Sequence, residues 1–199
     1  MKTKFINLGL TKYPIAMIDM DIAFENVKAG EDECIFITEH EALYSAGKSF
    51  ETKDFVLPPR YPVYFPKRGG RVTVHAPGQL VIYPVINLRK RSLNVSSYVQ
   101  TLENWIISAL ENIGVASSRS DKGVGIWIGE FKVGFIGVRI EHGVSTHGLC
   151  LNISNDLSMF NSIIPCGING VQIASLESIL KRKIDTTSVA NSFISTSPF

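Results

Sequence analysis

Cys166, which lies between a proline and a glycine, has the clearest capacity for covalent chemistry in this sequence. Pro165 fixes its own φ and Gly167 lets the backbone approach a ligand closely, so the segment predicts a thiol exposed at a bend of the chain. A thiolate in such a position is a nucleophile for acyl groups. The competing interpretation is a buried structural cysteine, because free cysteine is among the most buried residue types.

Lys132 opens an apolar, glycine-rich stretch, GEFKVGFIG at 129–137. An ammonium group in such a stretch must either reach water or lose its charge. A lysine within hydrogen-bond reach of a cysteine stabilises the thiolate as a cation, or takes the thiol proton when the amine is neutral. The alternative is a lysine at a strand end that faces solvent.

Two further stretches combine glycine with polar side chains. Residues 68–79 have the sequence RGGRVTVHAPGQ, which predicts two glycine turns around one short strand. The flanking strands disfavour a nucleotide phosphate loop, which needs a helix after it. Residues 146–152 (THGLCLN) place His147 on a strand, where a hydrogen-bonded core histidine is the commoner outcome. By itself, each stretch is also compatible with a hairpin that binds no ligand.

The elements that would position these residues form an α/β (α+β) fold, in which helices flank a single mixed, largely antiparallel sheet. The clearest helix is 95–113, with Asn94 as its N-cap and Gly114 after its end. A second amphipathic helix is predicted at 171–180. Strands are predicted at 4–10, 34–38, 61–65, 71–75, 80–88, 124–128, 132–140 and 144–153.

The two ends of the chain give weaker patterns. The helical spacing of Ile15, Ile18, Ile22 and Val27, with Pro14 in the first turn, predicts an N-terminal helix. Residues 39–50 predict a loop, and the polar C-terminal tail predicts no more than a short last turn at 197–199.

Composition restricts the classes of protein that this chain can belong to. The chain has 199 residues, 45% hydrophobic and 19% charged, which predicts one globular domain over 1–199. A net charge of +2 and a pI of about 8.4 predict no nucleic-acid partner. Three cysteines without a C-x-x-C pair predict neither disulfides nor a metal site. No leader-like or membrane-length apolar segment occurs, so we expect a cytoplasmic protein that does not bind membranes.

Taken together and in this order, the motifs resemble those of the lipoyl(octanoyl) transferases. The matching patterns are RGGxxTxHxPGQ at 68–79, GxxKxxxIGVRI at 129–140, HGLxLN at 147–152 and DLxxFxxIxPCGI at 156–168. EHxxxYxxG at 39–47 also fits, so the resemblance covers nearly the whole chain. The resemblance implies the fold of biotin and lipoate protein ligase catalytic domains. It also implies transfer of an octanoyl group from acyl carrier protein to a lipoyl-domain lysine, without a cofactor.

The resemblance also assigns roles to residues of this chain. Cys166 would carry the acyl thioester and Lys132 would be its partner. From residue type alone, His147 is a candidate auxiliary group that orients others, as is His75. Phe135 departs from the small residue usual at its position and would shorten the acyl pocket. Substrate contacts are implied for Arg68, Gly69, Gly70, Arg71, Val72, Thr73, Val74, His75, Phe135, Ile136, Gly137, Gly148, Leu149 and Cys150.

The implied partners are the acyl carrier protein as donor, and lipoyl domains of 2-oxoacid dehydrogenase complexes and the glycine cleavage H protein as acceptors. Three alternatives remain open from the residues. An ATP-dependent lipoate ligase on the same fold would not need a nucleophilic Cys166. A cysteine hydrolase would use water as its acceptor, and a non-catalytic acyl- or protein-binding module would contain an inert Cys166.

Overall fold

The computed structural model describes residues 3–168 and 170–199. The strands are β1 (Thr3–Thr11), β2 (Glu33–His40), β3 (Leu43–Ala46), β4 (Val63–Tyr64), β5 (Val72–His75), β6 (Gln79–Val85), β7 (Ser118–Ser120), β8 (Gly123–Ile128), β9 (Phe131–Glu141), β10 (Val144–Asn152) and β11 (Gln172–Ile173). The helices are α1 (Tyr13–Ala29), α2 (Val95–Asn112), α3 (Leu176–Leu180) and α4 (Thr186–Ser195). Short 3₁₀ turns lie at Thr52–Asp54, Ser158–Ser162 and Pro165–Gly167.

The large sheet has the strand order β1-β2-β6-β10-β9-β8-β7, with β11 paired beside β9. The β1–β2 and β11–β9 pairs are parallel and the other pairs of this sheet are antiparallel. A second, three-stranded sheet has the order β4-β3-β5. The predicted α+β fold with a largely antiparallel sheet is therefore confirmed, with the difference that a small second sheet accompanies the single sheet predicted. Within the described ranges, no helix combines the length and apolar character needed to cross a membrane.

Helix α2 packs against one face of the sheet, as its periodicity predicts. Leu102, Ile106 and Leu110 are buried in the larger apolar cluster, which also contains Trp105. The Asn94 side chain accepts a hydrogen bond from the N–H of Ser97, which caps the helix start. The helix ends close to the predicted boundary because Gly114 adopts a φ of +77°, a conformation that glycine adopts without strain.

Helix α1 forms as predicted, but most of the residues whose spacing indicates it do not face the core. Ile15, Ile18 and Ile22 are exposed, and only Val27 of these four residues is buried. Two stripes of α1 have helical spacing, and the sheet buries the one that contains Ala16 and the other small or aromatic residues. Small residues let the helix axis approach the sheet more closely than a row of isoleucines does.

Three other segments differ from their predictions. The predicted loop at 39–50 contains β3, which is short and fully buried, and the predicted strand at 61–65 shrinks to β4. Segment 171–180 is not one helix, because β11 pairs with β9 before α3 begins. The polar tail that follows α3 forms the helix α4. Asp185 caps this helix, and Val189 and Phe193 are its buried apolar residues. These two apolar residues, one turn apart among serines and threonines, hold the helix on α2.

Candidate active site

A cavity of about 430 Å³ lies against β9 and β10, opposite β5 and the Pro165–Gly167 turn. This volume is within the range of small-molecule sites in proteins. The cavity is lined by Cys166, Lys132, His147 and every predicted substrate-contact residue except Gly69 and Val74. Val74 packs in the smaller apolar cluster, and the Gly69 N–H donates to the Val138 carbonyl at 2.8 Å. The motifs at 68–79, 129–140, 147–152 and 156–168 therefore converge on one cavity, although about 50 residues separate the first motif from the second.

Lys132 is almost fully buried, with 1% of its surface exposed. Its amine donates to the carbonyl oxygen of Val124 at 2.6 Å, across the β8–β9 pair. The rings of Trp127 and Phe135 lie 5.5 and 5.3 Å from the Nζ atom. Gly125 makes room for the side chain, since a Cβ there would lie 2.7 Å from Lys132 Cε. The amine is held in one position rather than reaching to solvent, as the alternative interpretation of this lysine would require.

Cys166 is half-buried at the cavity wall and adopts a left-handed backbone conformation, with φ +56°. Such a conformation is uncommon for a residue with a side chain and costs energy that the surroundings must supply. Gly167 follows with φ +71°, and a Cβ there would lie 2.3 Å from the Cδ of Arg71. The Arg71 guanidinium bonds in turn to the buried carboxylate of Asp54 at 3.0 Å. The Ile164 N–H donates to the Asp54 carbonyl at 2.7 Å, which fastens the turn to the fold.

The Cys166 sulfur and the Lys132 amine lie 3.8 Å apart. The distance permits a hydrogen bond to sulfur, so one proton can be shared by the two groups. The surroundings are largely apolar: Ile168, Val124, Phe135 and Ile136 also line this cavity. The structure thus brings together the two residues for which the sequence predicts a common proton.

Arg68 places a buried positive charge beside the cavity. Its guanidinium donates to the Ser45 hydroxyl at 3.0 Å and to the carbonyl oxygens of Ser45, Gly69 and Arg71. Burial lowers the pKa of Arg68, although arginine stays protonated in proteins. Because its partners are carbonyl and hydroxyl groups, the cation contributes positive potential where a thioester oxygen or a thiolate would gain negative charge.

A cluster of histidines and tyrosines lies at the cavity wall and behind it, where His40 packs against Tyr13 and His75, and the sequence indicates only part of this cluster. The His75 Nδ1 lies 2.7 Å from the Gln79 Oε1, and Gln79 donates its amide to the carbonyl oxygen of Val74, so His75 donates from Nδ1. The His40 Nε2 lies 2.8 Å from the Tyr83 hydroxyl. Tyr13 and Tyr83 line the cavity as well. The EHxxxYxxG motif contains His40, but no sequence pattern indicates the two tyrosines.

Burial keeps these histidines neutral. It lowers the pKa of His40, and it lowers the pKa of His75 well below the usual value, with the neighbouring His40 as the next cause. Burial, together with Arg68 and Arg139, lowers the pKa of His147 to about 3. His147 also adopts a left-handed conformation with φ +56°. A neutral imidazole of this kind can orient a ligand or another side chain but carries no proton to donate as a cation near neutral pH.

The paired strands β9 and β10 supply apolar side chains to the cavity wall. Phe135 lies opposite Cys150, and Ile136 lies opposite Leu149. The Phe135 ring stacks on Phe160, with centroids 5.5 Å apart. Burial raises the pKa of the Cys150 thiol to about 12 and that of Cys34 to about 11, so both stay protonated. Phe135, Ile136 and Leu149 thus give the cavity an apolar wall, and the Phe135 ring lies 5.3 Å from Lys132 Nζ.

Comparisons of the sequence with a family model and with known proteins indicate the same family. The model of the lipoyl protein ligase A/B catalytic domain matches residues 13–197. A protein named octanoyltransferase from Rhizorhabdus wittichii is 41% identical over 173 residues, which cover 84% of this chain and 78% of that protein. A second octanoyltransferase, from Sphingopyxis alaskensis, is 41% identical over 182 residues, which cover 88% of this chain and 83% of that protein.

Solved structures show the same fold at low identity. The structure of a lipoate-protein ligase A bound with ATP superposes with a TM-score of 0.75 at 15% identity. The match covers 98% of this chain and 84% of the ligase chain. A bipartite lipoate protein ligase from Thermoplasma acidophilum, analysed with its E2 lipoyl domain, has a TM-score of 0.72 at 15% identity, with coverages of 98% and 81%. The biotin protein ligase of Aquifex aeolicus has a TM-score of 0.59 at 17% identity, with coverages of 97% and 68%. These likenesses concern the fold alone.

Proposed function

Because the chain belongs to the lipoyl protein ligase A/B catalytic domain family, we propose that it transfers an octanoyl group to a protein lysine in protein lipoylation. Its relatives at about 40% identity are named octanoyltransferases, and they match most of the chain. An acyltransferase is therefore favoured over a cysteine hydrolase or a silent binding module. The proposal concerns both the reaction and the residues that carry it.

The observation that supports this function most directly is the 3.8 Å distance between the Cys166 sulfur and the Lys132 amine. The pair lines a cavity whose wall also includes the apolar side chains of Phe135, Ile136 and Leu149. A thiol nucleophile needs a proton acceptor, and an eight-carbon chain needs an apolar slot. An adenylate-forming ligase needs an ATP site and does not need this pair.

In the first half-reaction, the proton of the Cys166 thiol passes to the Lys132 amine. The thiolate attacks the carbonyl carbon of the donor thioester, and a new carbon–sulfur bond forms as the bond to the donor sulfur breaks. The departing donor thiolate takes the proton from the Lys132 ammonium. A thioester is exchanged for a thioester, so no ATP is consumed.

In the second half-reaction, the ammonium group of the acceptor lysine gives a proton to Lys132 and becomes a nucleophilic amine. Its nitrogen attacks the Cys166 thioester, an amide bond forms and the Cys166 sulfur leaves. One of the two protons on the attacking nitrogen goes to that sulfur while the amide keeps the other, and the proton on Lys132 is released to water. Lys132 thus acts first as base and then as acid in the first half-reaction, and as base in the second.

The proposed donor is an acyl carrier protein, and the proposed acceptors are lipoyl domains of 2-oxoacid dehydrogenase complexes and the glycine cleavage H protein. The acceptor class is supported by the Thermoplasma ligase, which was analysed with its E2 lipoyl domain. The apolar wall of the cavity supports a medium acyl chain, since about 0.8 kcal/mol per buried methylene gives roughly 5 kcal/mol for an octanoyl tail.

Intact-mass measurement after mixing the protein with octanoyl-carrier protein tests the proposal. We expect an octanoyl adduct on wild-type protein, no adduct on Cys166→Ala, and loss of the adduct when a lipoyl domain is added. Octanoylation that needs octanoate and ATP and proceeds in Cys166→Ala would instead identify a ligase. Rapid release of octanoate without an acceptor would identify a hydrolase.

A further inference from the structure

One peptide group connects the proposed proton-transfer lysine to a carboxylate on another element. The carbonyl of the Val124–Gly125 peptide accepts a hydrogen bond from Lys132 Nζ at 2.6 Å. The N–H of the same peptide donates to the Glu103 Oε1 at 3.1 Å. Glu103 belongs to α2, which packs behind β8 on the side away from the cavity. The peptide is therefore held from both of its polar ends.

Glu103 is a buried carboxylate, with 6% of its surface exposed. Its second oxygen pairs with the Arg119 Nε at 2.6 Å. Arg119 is fixed in turn by the side chain of Asn104 and the carbonyl of Gln100, both on α2. The carboxylate is thus anchored at one oxygen and directs the other at the Gly125 N–H.

Two physical effects follow from this arrangement. A negative charge at the N–H end polarises the peptide and makes its carbonyl a stronger acceptor for the lysine ammonium. The hydrogen bond also fixes the orientation of the peptide at Gly125, which adopts φ +128° and, without a Cβ, has a wider range of φ than other residues. Rotation of this peptide would remove the acceptor from Lys132.

We propose that Glu103 is a positioning residue, which holds the Val124–Gly125 peptide so that the Lys132 amine stays aimed at Cys166. The inference rests on the proposed function, because it assigns Glu103 a part in the same proton transfer. Glu103 does not line the cavity and touches neither the Cys166 sulfur nor the acyl group. Its effect reaches the site through one peptide and one amine.

The test measures how fast iodoacetamide alkylates Cys166 at pH values from 5.5 to 9.5. Lys132→Met is the reference variant, since it removes the amine. Glu103→Ala is expected to lower the rate at pH 7 by about tenfold and to move the midpoint of the profile to higher pH, as Lys132→Met does. Glu103→Gln, which keeps an acceptor oxygen for the Gly125 N–H, is expected to recover part of the loss.

Two control variants separate positioning from a structural role. Glu111→Gln removes an exposed carboxylate from the same helix and is expected to leave the profile unchanged. Arg119→Ala removes the other partner of Glu103 and is expected to lower the free energy of unfolding with a smaller change in the profile. Urea unfolding of each variant verifies that it is folded at the pH values used.

Three outcomes would overturn the inference. Glu103→Ala and Glu103→Gln could both keep the wild-type profile while Lys132→Met shifts it. Arg119→Ala could shift the profile as far as Glu103→Ala does, which would mean that the ion pair, not the peptide, is responsible. Finally, Lys132→Met could leave the profile unchanged, which would mean that the Lys132 amine does not affect the reactivity of the Cys166 thiol. Failure of the proposed function has a different signature, because wild-type protein would then form no octanoyl adduct whatever the alkylation profile.

Discussion

The Lys132 amine lies 3.8 Å from the Cys166 sulfur, although the two residues are 34 positions apart in the chain. Substitution of Lys132 by methionine should remove the proton acceptor and keep the apolar stem of the side chain. We expect the rate of octanoyl adduct formation to fall by about 100-fold or more. Stopped reactions with octanoyl-carrier protein, followed by intact mass, measure this rate.

The same variant is expected to stay folded, because methionine fills a buried site without leaving an uncompensated charge. The free energy of unfolding measured in urea should therefore be at least that of the wild type. Wild-type acylation by Lys132→Met would contradict the proposed role of the amine. Loss of folding would instead indicate that the bond to the Val124 carbonyl holds the strands together.

The three cysteines should differ strongly in reactivity. Burial raises the pKa of Cys34 to about 11 and that of Cys150 to about 12, whereas Cys166 is half-buried beside an amine. We expect limiting iodoacetamide at pH 7.5 to modify Cys166 at least tenfold faster than the other two, since the thiolate is the reactive form. Peptide mapping by mass spectrometry gives the three rates. Equal labelling of all three cysteines in native protein would refute this expectation, and urea-unfolded protein provides the control.

Gly125 should tolerate no side chain. A Cβ at this position would lie 2.4 Å from the Gly134 carbonyl oxygen and 2.7 Å from Lys132 Cε, and φ is +128°. Gly125→Ala is therefore expected to displace the lysine and to lower acyl transfer by at least tenfold. Gly114→Ala is the matched control, because it also has positive φ but meets no atom within 4 Å. It should cost only about 1 kcal/mol of backbone strain and leave transfer unchanged. Equal activity of both variants would argue against this steric requirement.

Phe135 is expected to set the length of the acyl chain. It lines the cavity and stacks on Phe160, which does not line it. Phe135→Leu should shift the preference toward decanoyl and dodecanoyl donors by about tenfold for two methylenes. Phe160→Leu removes the same ring stack, so it should lower the free energy of unfolding by a similar amount. It should leave the preference for acyl chain length unchanged. Values of kcat/KM for donors of six to twelve carbons measure the effect, and an identical preference in both variants would exclude Phe135 as the determinant.

The sequence predicts the large elements because each has an apolar pattern that fits only one kind of secondary structure and one buried face. Helix α2 has a single apolar stripe and a cap at Asn94, and the hairpin strands β9 and β10 have a clear turn between them. Helix α1 has two stripes of helical spacing, so periodicity alone does not decide whether Ile18 or Met20 is buried. The choice depends on the surface of the sheet, which forms from residues far away in the chain.

The site is predictable where one residue type carries the chemistry. Cys166 and Lys132 stand out by type and by neighbours, and the motifs indicate Arg68 and His75. Tyr13, Tyr83 and Glu103 do not stand out, because their roles depend on contacts across the fold. A buried glutamate in a helix resembles a solvated one until its partner, the Gly125 N–H on another strand, is known.

Stability should fall in mild acid because of the buried histidines. The pKa of His147 is about 3 in the folded protein, against about 6.5 in an unfolded chain, and the pKa values of His40 and His75 are lowered too. Between these two pH values the unfolded state binds more protons than the folded state. The free energy of unfolding is therefore retained above pH 6.5 and decreases as pH falls toward 3, by up to about 1.4 kcal/mol per pH unit for each histidine.

His147→Asn isolates one of these contributions. Asparagine accepts the left-handed φ of +56° that position 147 requires, so the backbone need not change. We expect its free energy of unfolding, measured in urea at pH 4.5, 5.5, 6.5 and 7.5, to fall less steeply with acid than that of the wild type. Below pH 6 the two slopes should differ by about 1 kcal/mol per pH unit. Parallel curves would mean that His147 takes up a proton in the folded state, and its imidazole would then be available as a cationic acid in the cavity.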